Sequence, residues 1–305
     1  MTGSTSKTAV GFGVELGIYE KALQWTGDWN EFFASAAAAG FSFVDLSLDE
    51  SDDRIARLDW SLEERHAVRD AAEHSGILLG GLCLSVHRRI APGSSDAAMR
   101  AKAADVLYRG IELCHDLGMS VLQLAGYFAY YEGAAHPRAH EWYVETLRKG
   151  ARYAARLGVV LGIENVDGTD ITSISRAIAV INEIDSPWLQ LYPDIGNLAE
   201  QSLDAVAELR AGAGHMVALH VKETRPGEPR RVAMGQGVVD WESSFTELVR
   251  QEWSGRVMIE MWNDDAPESA SLASEAREFI AARLTAAGMP VLGIHSRKKR
   301  QRTHA

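Results

Sequence analysis

The sequence predicts an α/β protein of one domain, a (β/α)8 TIM barrel, and three observations carry the prediction. Short β-rich apolar runs alternate with longer segments of helical periodicity almost to the C-terminus, the pattern of a parallel sheet. Glycine repeatedly ends a helical segment just before the next run, as in "AAAAGFSFV", "AAEHSGILL" and "AARLGVVLG", where it supplies the left-handed residue that closes a helix. Eight such units in about 260 residues suffice to close a barrel. A doubly wound open sheet is the alternative, but no G-x-G-x-x-G follows the first run, so its dinucleotide fingerprint is missing.

In order, the predicted strands are "VELGIY" (14–19), "FSFVDLSL" (41–48), "ILLGGLCLS" (77–85), "SVLQLAG" (120–126), "VVLGIE" (159–164), "WLQLYPD" (188–194), "HMVALHV" (215–221) and "RVMIEMW" (256–262). Between the third and fourth, Met99, Ala103, Val106, Leu107, Ile111, Cys114 and Leu117 advance mostly by three and four residues. That spacing marks one buried helical stripe, which Gly118 ends. The barrel is expected over residues 1–288. The basic run "SRKKRQRTHA" places a solvated, disordered tail over 289–305.

Composition narrows the function. The chain has 305 residues, 46% hydrophobic and 24% charged, which is ordinary globular usage. A formal charge of -11 disfavours nucleic-acid binding, which depends on clustered Lys and Arg. Two cysteines, Cys83 and Cys114, make no disulfide framework and read as core residues of a reducing compartment. With no bilayer-length apolar run and no apolar h-region in "MTGSTSKTAV", the expectation is a cytoplasmic protein without a membrane partner.

The strand ends carry the chemistry. The fifth run ends in Glu164, the sixth in Asp194, the seventh reaches His220 and the eighth reaches Glu260. Side chains at the C-terminal ends of barrel strands converge on one mouth. Three carboxylates buried together repel unless a cation sits among them. Oxygen ligands with one imidazole suit one divalent ion, Zn²⁺, Mn²⁺ or Co²⁺, with Mg²⁺ less suited.

On "GIYEKAL", "DDRIARLDWS", "CLSVHRR", "QLAGY", "SPWLQLYPDIGNL", "GHMVALHVKETRPG", "GQGVVDW" and "IEMW", the chain resembles the L-xylulose-5-phosphate (L-ribulose-5-phosphate) 3-epimerases, also called hexulose-6-phosphate isomerases, of the xylose-isomerase-like TIM-barrel superfamily. The resemblance implies a metal held by Glu164, Asp194, His220 and Glu260, with Glu164 and Glu260 doubling as acid and base. Epimerisation at C3 of a 2-ketose removes a proton α to the carbonyl and returns one to the opposite face of the enediolate. A cation chelating the C2 and C3 oxygens would stabilise that enediolate. Two glutamates on non-adjacent strands fit the two faces.

A sugar phosphate needs cationic partners. The candidates are His87, Arg88 and Arg89 after the third run, and Lys222 and Arg225 after the seventh. The "GQG" turn at 235–237 is a weak signal and reads as a turn. Asn197 is placed to bond a sugar hydroxyl. Relatives acting on free ketohexoses commonly have His at the matching point, so this difference leans toward the phosphate branch. "IENVDGTDITSIS" departs from the family's "EIMD" and "NSIS" at Asn165 and Thr172, and Phe128 stands where the family usually carries Asp. The expected reaction interconverts L-ribulose and L-xylulose 5-phosphates. An epimerase or aldose–ketose isomerase for another phosphorylated or free ketose is the alternative. A multimetal abasic-site nuclease lacks its extra ligands and basic face, and nothing supports a non-catalytic sugar-binding barrel. The aromatic loops "YFAYYE" and "EWY" fit a homodimer contact as easily as a substrate lid.

Overall fold

The structure, a computed structural model, describes residues 12–133 and 136–293. In chain order its elements are β1 (Val14–Tyr19), α1 (Trp29–Ala38), β2 (Phe43–Ser47), α2 (Asp52–Ile55), α3 (Leu62–Ser75), β3 (Leu78–Leu84), α4 (Ala97–Asp116), β4 (Val121–Ala125), α5 (Ala139–Leu157), β5 (Val160–Glu164) and α6 (Ile174–Ile184). There follow β6 (Leu189–Leu191), α7 (Ile195–Glu200), α8 (Ala205–Ala211), β7 (Leu219–Val221), β8 (Glu223–Arg225), β9 (Glu228–Val232), α9 (Trp241–Arg250), β10 (Gly255–Ile259), α10 (Ser269–Ala286) and β11 (Val291–Leu292).

Strands β1 to β6 pair in sequence order, β1 also pairs with β10, and β10 with β7, all in parallel. Single bridges Leu191↔Met216 and Asp194↔His220 join the last gap and close the ring. The expected barrel is therefore the observed one, built from β1 to β7 and β10. Helix ends fall where the glycines predict: Gly76 and Gly158 cap α3 and α5 in the left-handed conformation, at φ 75° and 71°. Ser61 and Glu64 form a reciprocal capping box at the start of α3. The expected stripe on α4 is buried from Ala103 to Leu117 against β3 and β4, and Met99 is partly buried.

Two strands fall to three residues where seven were expected. β6 stops at Leu191, because Pro193 has no N–H for the ladder and the chain turns straight into α7. β7 starts only at Leu219. A third difference lies at the C-terminus. Val291 and Leu292 pair with Val14 and Glu15 of β1, and Val14 N donates to Pro290 O at 2.9 Å, so the barrel continues past residue 288, its expected limit. The basic run from 296 lies outside the described residues.

The main core lies between strands and helices. A smaller apolar cluster of Tyr19, Phe43, Cys83, Val121, Tyr192, Ala218 and Met258 fills the barrel interior. Both cysteines are buried and free. Among the described residues no helix is long and apolar enough to cross a membrane.

Candidate active site

The mouth of the barrel gathers the four strand-end residues. Glu164 is the last residue of β5, His220 the centre of β7, and Glu260 follows β10 directly. Asp194 is the N-cap of α7, and its Oδ1 accepts from the amides of Gly196 (2.7 Å) and Asn197 (3.3 Å). It thus serves as a helix cap and as a member of the cluster at once, because the bridge to His220 fixes it at the strand mouth. One donor atom from each of Glu164, Asp194, His220 and Glu260 lies within 4.8 Å of the others.

Neighbouring side chains hold these donors in place. His220 Nδ1 lies 3.0 Å from Glu164 Oε1, and Gln123 Nε2 donates to Glu164 Oε2. Asn165 clamps Asp194 by both backbone groups, at 2.9 Å each. Asn197 Nδ2 in turn donates to Asn165 O at 2.8 Å. The Lys222 ammonium donates to Glu260 Oε2 at 2.9 Å and stands 2.7 Å from Asp194 Oδ2, close enough for an ion pair but off the direction of a hydrogen bond. Burial raises the Glu164 and Asp194 carboxyls above their usual range. Glu260 is partly buried, yet Lys222 holds it below that range. For His220, burial opposes the charge, but Glu164 prevails and lifts the imidazole to about 9.

This donor set fits a divalent cation. Ligand atoms about 2.0–2.2 Å from a first-row ion stand no more than about 4.4 Å apart, near the observed spread. Asp194 Oδ2 makes no hydrogen bond, and the Lys222 ammonium, paired with Asp194 and Glu260, leaves net negative charge on three carboxylates for a cation to offset.

The cluster lines a cavity of about 220 Å³ together with three cations besides Lys222, namely Lys21, Arg88 and Arg230, each paired with a carboxylate of Asp49, Glu50 or Asp167. Arg88 and Arg230 converge there on Asp167. Arg230 pairs with both carboxylate oxygens, at 2.9 and 3.0 Å, and Arg88 approaches to 3.6 Å. Arg88 also donates to the Tyr127 hydroxyl at 2.6 Å and lies over the Tyr127 and Tyr130 rings, while Tyr127 donates to Asp167. Asp49, Gln123 and Trp262 also line it.

Of the expected phosphate contacts, Arg88 and Lys222 line this cavity and three others do not. His87 is buried with Nε2 3.1 Å from Ala103 O, and burial pushes it down to about 4. Arg89 points outward to Asp52 and Glu50 O. Arg225 is held by Gln236 O at 2.6 and 2.8 Å. The reason is local: β8 and β9 form a hairpin turned by Pro226 and Gly227 (φ 76°), with Arg225 opposite Glu228, and Arg230 is the residue it delivers to the cavity. The "RPG" turn signal was in the sequence. Arg230, Asp167, Tyr127 and Gln123 were missed, since nothing local marks them. The "GQG" turn is structural: the buried Glu223 carboxylate accepts from Gly235 N (2.9 Å), Val239 N (3.1 Å) and Trp241 Nε1 (3.1 Å). Asn197 lines the cavity with its Oδ1 buried and unpartnered, whereas Phe128 packs on Tyr143 and His140 outside it.

Comparison with known proteins agrees with this geometry. The family model described as "Xylose isomerase-like TIM barrel" matches residues 33–283, and the chain belongs to that family. Within it, the chain belongs with the L-ribulose-5-phosphate 3-epimerases. It is 42% identical over 276 residues to the enzymes named L-ribulose-5-phosphate 3-epimerase UlaE of Escherichia fergusonii and Escherichia coli, covering 90% of this chain and 97% of each relative. It is an enzyme of the isomerase class. Solved structures share the fold: an L-ribulose 3-epimerase (TM-score 0.74, 20% identity, 96% of this chain and 98% of that one) and a D-psicose 3-epimerase in the presence of D-fructose (0.75, 16%, 89% and 99%).

Proposed function

We propose that this epimerase interconverts L-ribulose 5-phosphate and L-xylulose 5-phosphate, moving the proton at C3, with one divalent ion held by Glu164, Asp194, His220 and Glu260. The observation that carries the proposal is one cavity lined both by the carboxylate and imidazole cluster and by Arg88 and Arg230. The 42% identity to L-ribulose-5-phosphate 3-epimerases supports the same substrate.

When bound, the ion supplies Lewis-acid stabilisation for charge developing on the sugar's C2 and C3 oxygens. The chain's own residues do the rest. Glu164 and Glu260 stand on strands from different parts of the ring and flank the sugar; one carboxylate takes the C3 proton and the other, protonated, returns one to the opposite face. Their roles exchange with reaction direction. Gln123 keeps Glu164 aimed, and Asn197 Oδ1 accepts from a sugar hydroxyl. The phosphate takes over Arg88 and Arg230 from Asp167, so the guanidinium pair exchanges a carboxylate for a dianion.

Comparing kcat/KM for L-ribulose 5-phosphate with that for L-ribulose tests this assignment. Two charge-assisted hydrogen bonds, at roughly 1.5–3 kcal/mol each, correspond to a preference on the order of a thousandfold for the phosphorylated ketose. Equal values would reject the phosphate and favour a free ketose in the same site.

A further inference from the structure

Beneath the carboxylate cluster the barrel interior holds an ionisable group that the reaction above does not use. Asp45, in the middle of β2, is 1% exposed. It occupies a niche that only glycine leaves open on the next strand, since a Cβ at Gly80 would stand 2.2 Å from Asp45 Oδ1. Tyr192, buried just past β6, donates its hydroxyl to Oδ2 at 2.5 Å. The same tyrosine ring meets the His220 imidazole edge-on, with centroids 4.4 Å apart. Asp45 Oδ1 has no hydrogen-bond partner, and neither has His220 Nε2, the ring nitrogen that Glu164 does not engage. A carboxylate oxygen of Asp45, Cys83 Sγ and a ring nitrogen of His220 lie within 4.8 Å of one another.

A second metal site is not the best account of these atoms. Cys83 packs in the apolar cluster with Phe43, Val121 and Met258, surroundings that oppose a thiolate. The pairing of a buried acceptor with a buried ring N–H is the simpler one. A histidine that binds a metal through one nitrogen commonly donates its other N–H to a carboxylate, which fixes the tautomer and the ring plane. At this separation one water, or a small side-chain shift, completes such a bond.

We propose that Asp45 and Tyr192 are positioning residues for His220. The Asp45 carboxylate receives the Nε2–H, and the Tyr192 ring holds the imidazole plane, so that Nδ1 presents its lone pair toward Glu164, Asp194 and Glu260. The inference rests on reading those four residues as the holders of a divalent ion.

The test is the Mn²⁺ dissociation constant of the full-length chain, measured by competition with a fluorescent chelator. Asp45→Asn, whose amide offers the wrong polarity to Nε2–H, is expected to weaken Mn²⁺ binding 10- to 100-fold. Tyr192→Phe keeps the ring and removes only the hydroxyl, and is expected to weaken it severalfold. In a His220→Ala background, Asp45→Asn should have no further effect. Unchanged Mn²⁺ affinity in Asp45→Asn overturns the proposal, as does an equal loss with and without His220, which would mark a purely structural residue. Should Asp45→Asn fail to fold, Tyr192→Phe decides in the same way: weaker binding supports the proposal and wild-type binding overturns it. Wild-type chain binding Mn²⁺ no better than His220→Ala would instead refute the four-ligand reading, and this inference would fall with it.

Discussion

Glu164 and Glu260 sit in one cluster under opposite influences: burial raises the first, and Lys222 holds the second down. A two-face proton transfer needs one carboxylate to take the C3 proton and a second to return one, and these two stand in unlike surroundings. Each of Glu164→Gln and Glu260→Gln is therefore predicted to lose epimerisation by at least about a hundredfold while the protein still folds; full turnover by either would remove that residue from the chemistry. His220→Ala should purify with little divalent metal by elemental analysis, and a normal content would sink the ligand assignment. The arginines give a sharper contrast, because the sequence named three and the structure separates them. Arg88→Ala and Arg230→Ala should each raise KM for the phosphorylated ketose by roughly 10- to 100-fold with less effect on kcat. Arg89→Ala and Arg225→Ala should stay near wild type, since both point away from the cavity. The reverse ranking would move the anion site to another part of the mouth.

At the scale of elements, the hairpin of β8 and β9 explains why the wrong arginine stood out. Sequence distance from His220 favoured Arg225, but the turn at Pro226 and Gly227 folds the chain back and makes Arg230 the residue that reaches Asp167. Arg225 stays beside the turn, where Gln236 O holds it, whereas Arg230 lies farther along the returning strand and reaches the cavity. The four cluster residues were legible because each closes an apolar run. Arg230 lies on the β9 arm of the hairpin and Tyr127 and Asp167 on loops, segments whose path depends on tertiary contacts such as the Glu223 anchor. That anchor leaves no room at Gly237, where a Cβ would stand 2.2 Å from Thr224 O and 2.3 Å from Glu223 Oε1. Gly237→Ala is accordingly predicted to cost about 1–3 kcal/mol of stability and to raise KM for the sugar phosphate severalfold by shifting the hairpin. Steady-state kinetics beside a urea melt checks this; unchanged KM would mean that the hairpin does not position the anion site.

Across the whole molecule, the barrel was readable because eight apolar runs, eight intervening segments and glycine caps repeat one unit, and burial of that repeat leaves few other closures. The missed extension at Val291 and Leu292 follows from shortness, since two residues carry no periodicity. One global property comes from His87, which the fold buries neutral against Ala103 O. Its pKa falls from 6.5 to about 4 through burial. The unfolded chain therefore gains a proton that the folded chain refuses, and stability drops as pH falls from about 6.5 to 4, by on the order of 3 kcal/mol. His87→Gln should show a smaller loss between pH 7 and pH 4.5 in urea midpoints, whereas parallel losses would contradict a neutral buried His87. Proton transfer at C3 of a phosphorylated ketose leaves an isotopic trace, which proton NMR of L-ribulose 5-phosphate incubated with the enzyme in D₂O reads. The predicted result is L-xylulose 5-phosphate carrying deuterium at C3 and none at C1. Deuterium at C1, or epimerisation without exchange at C3, would contradict the account.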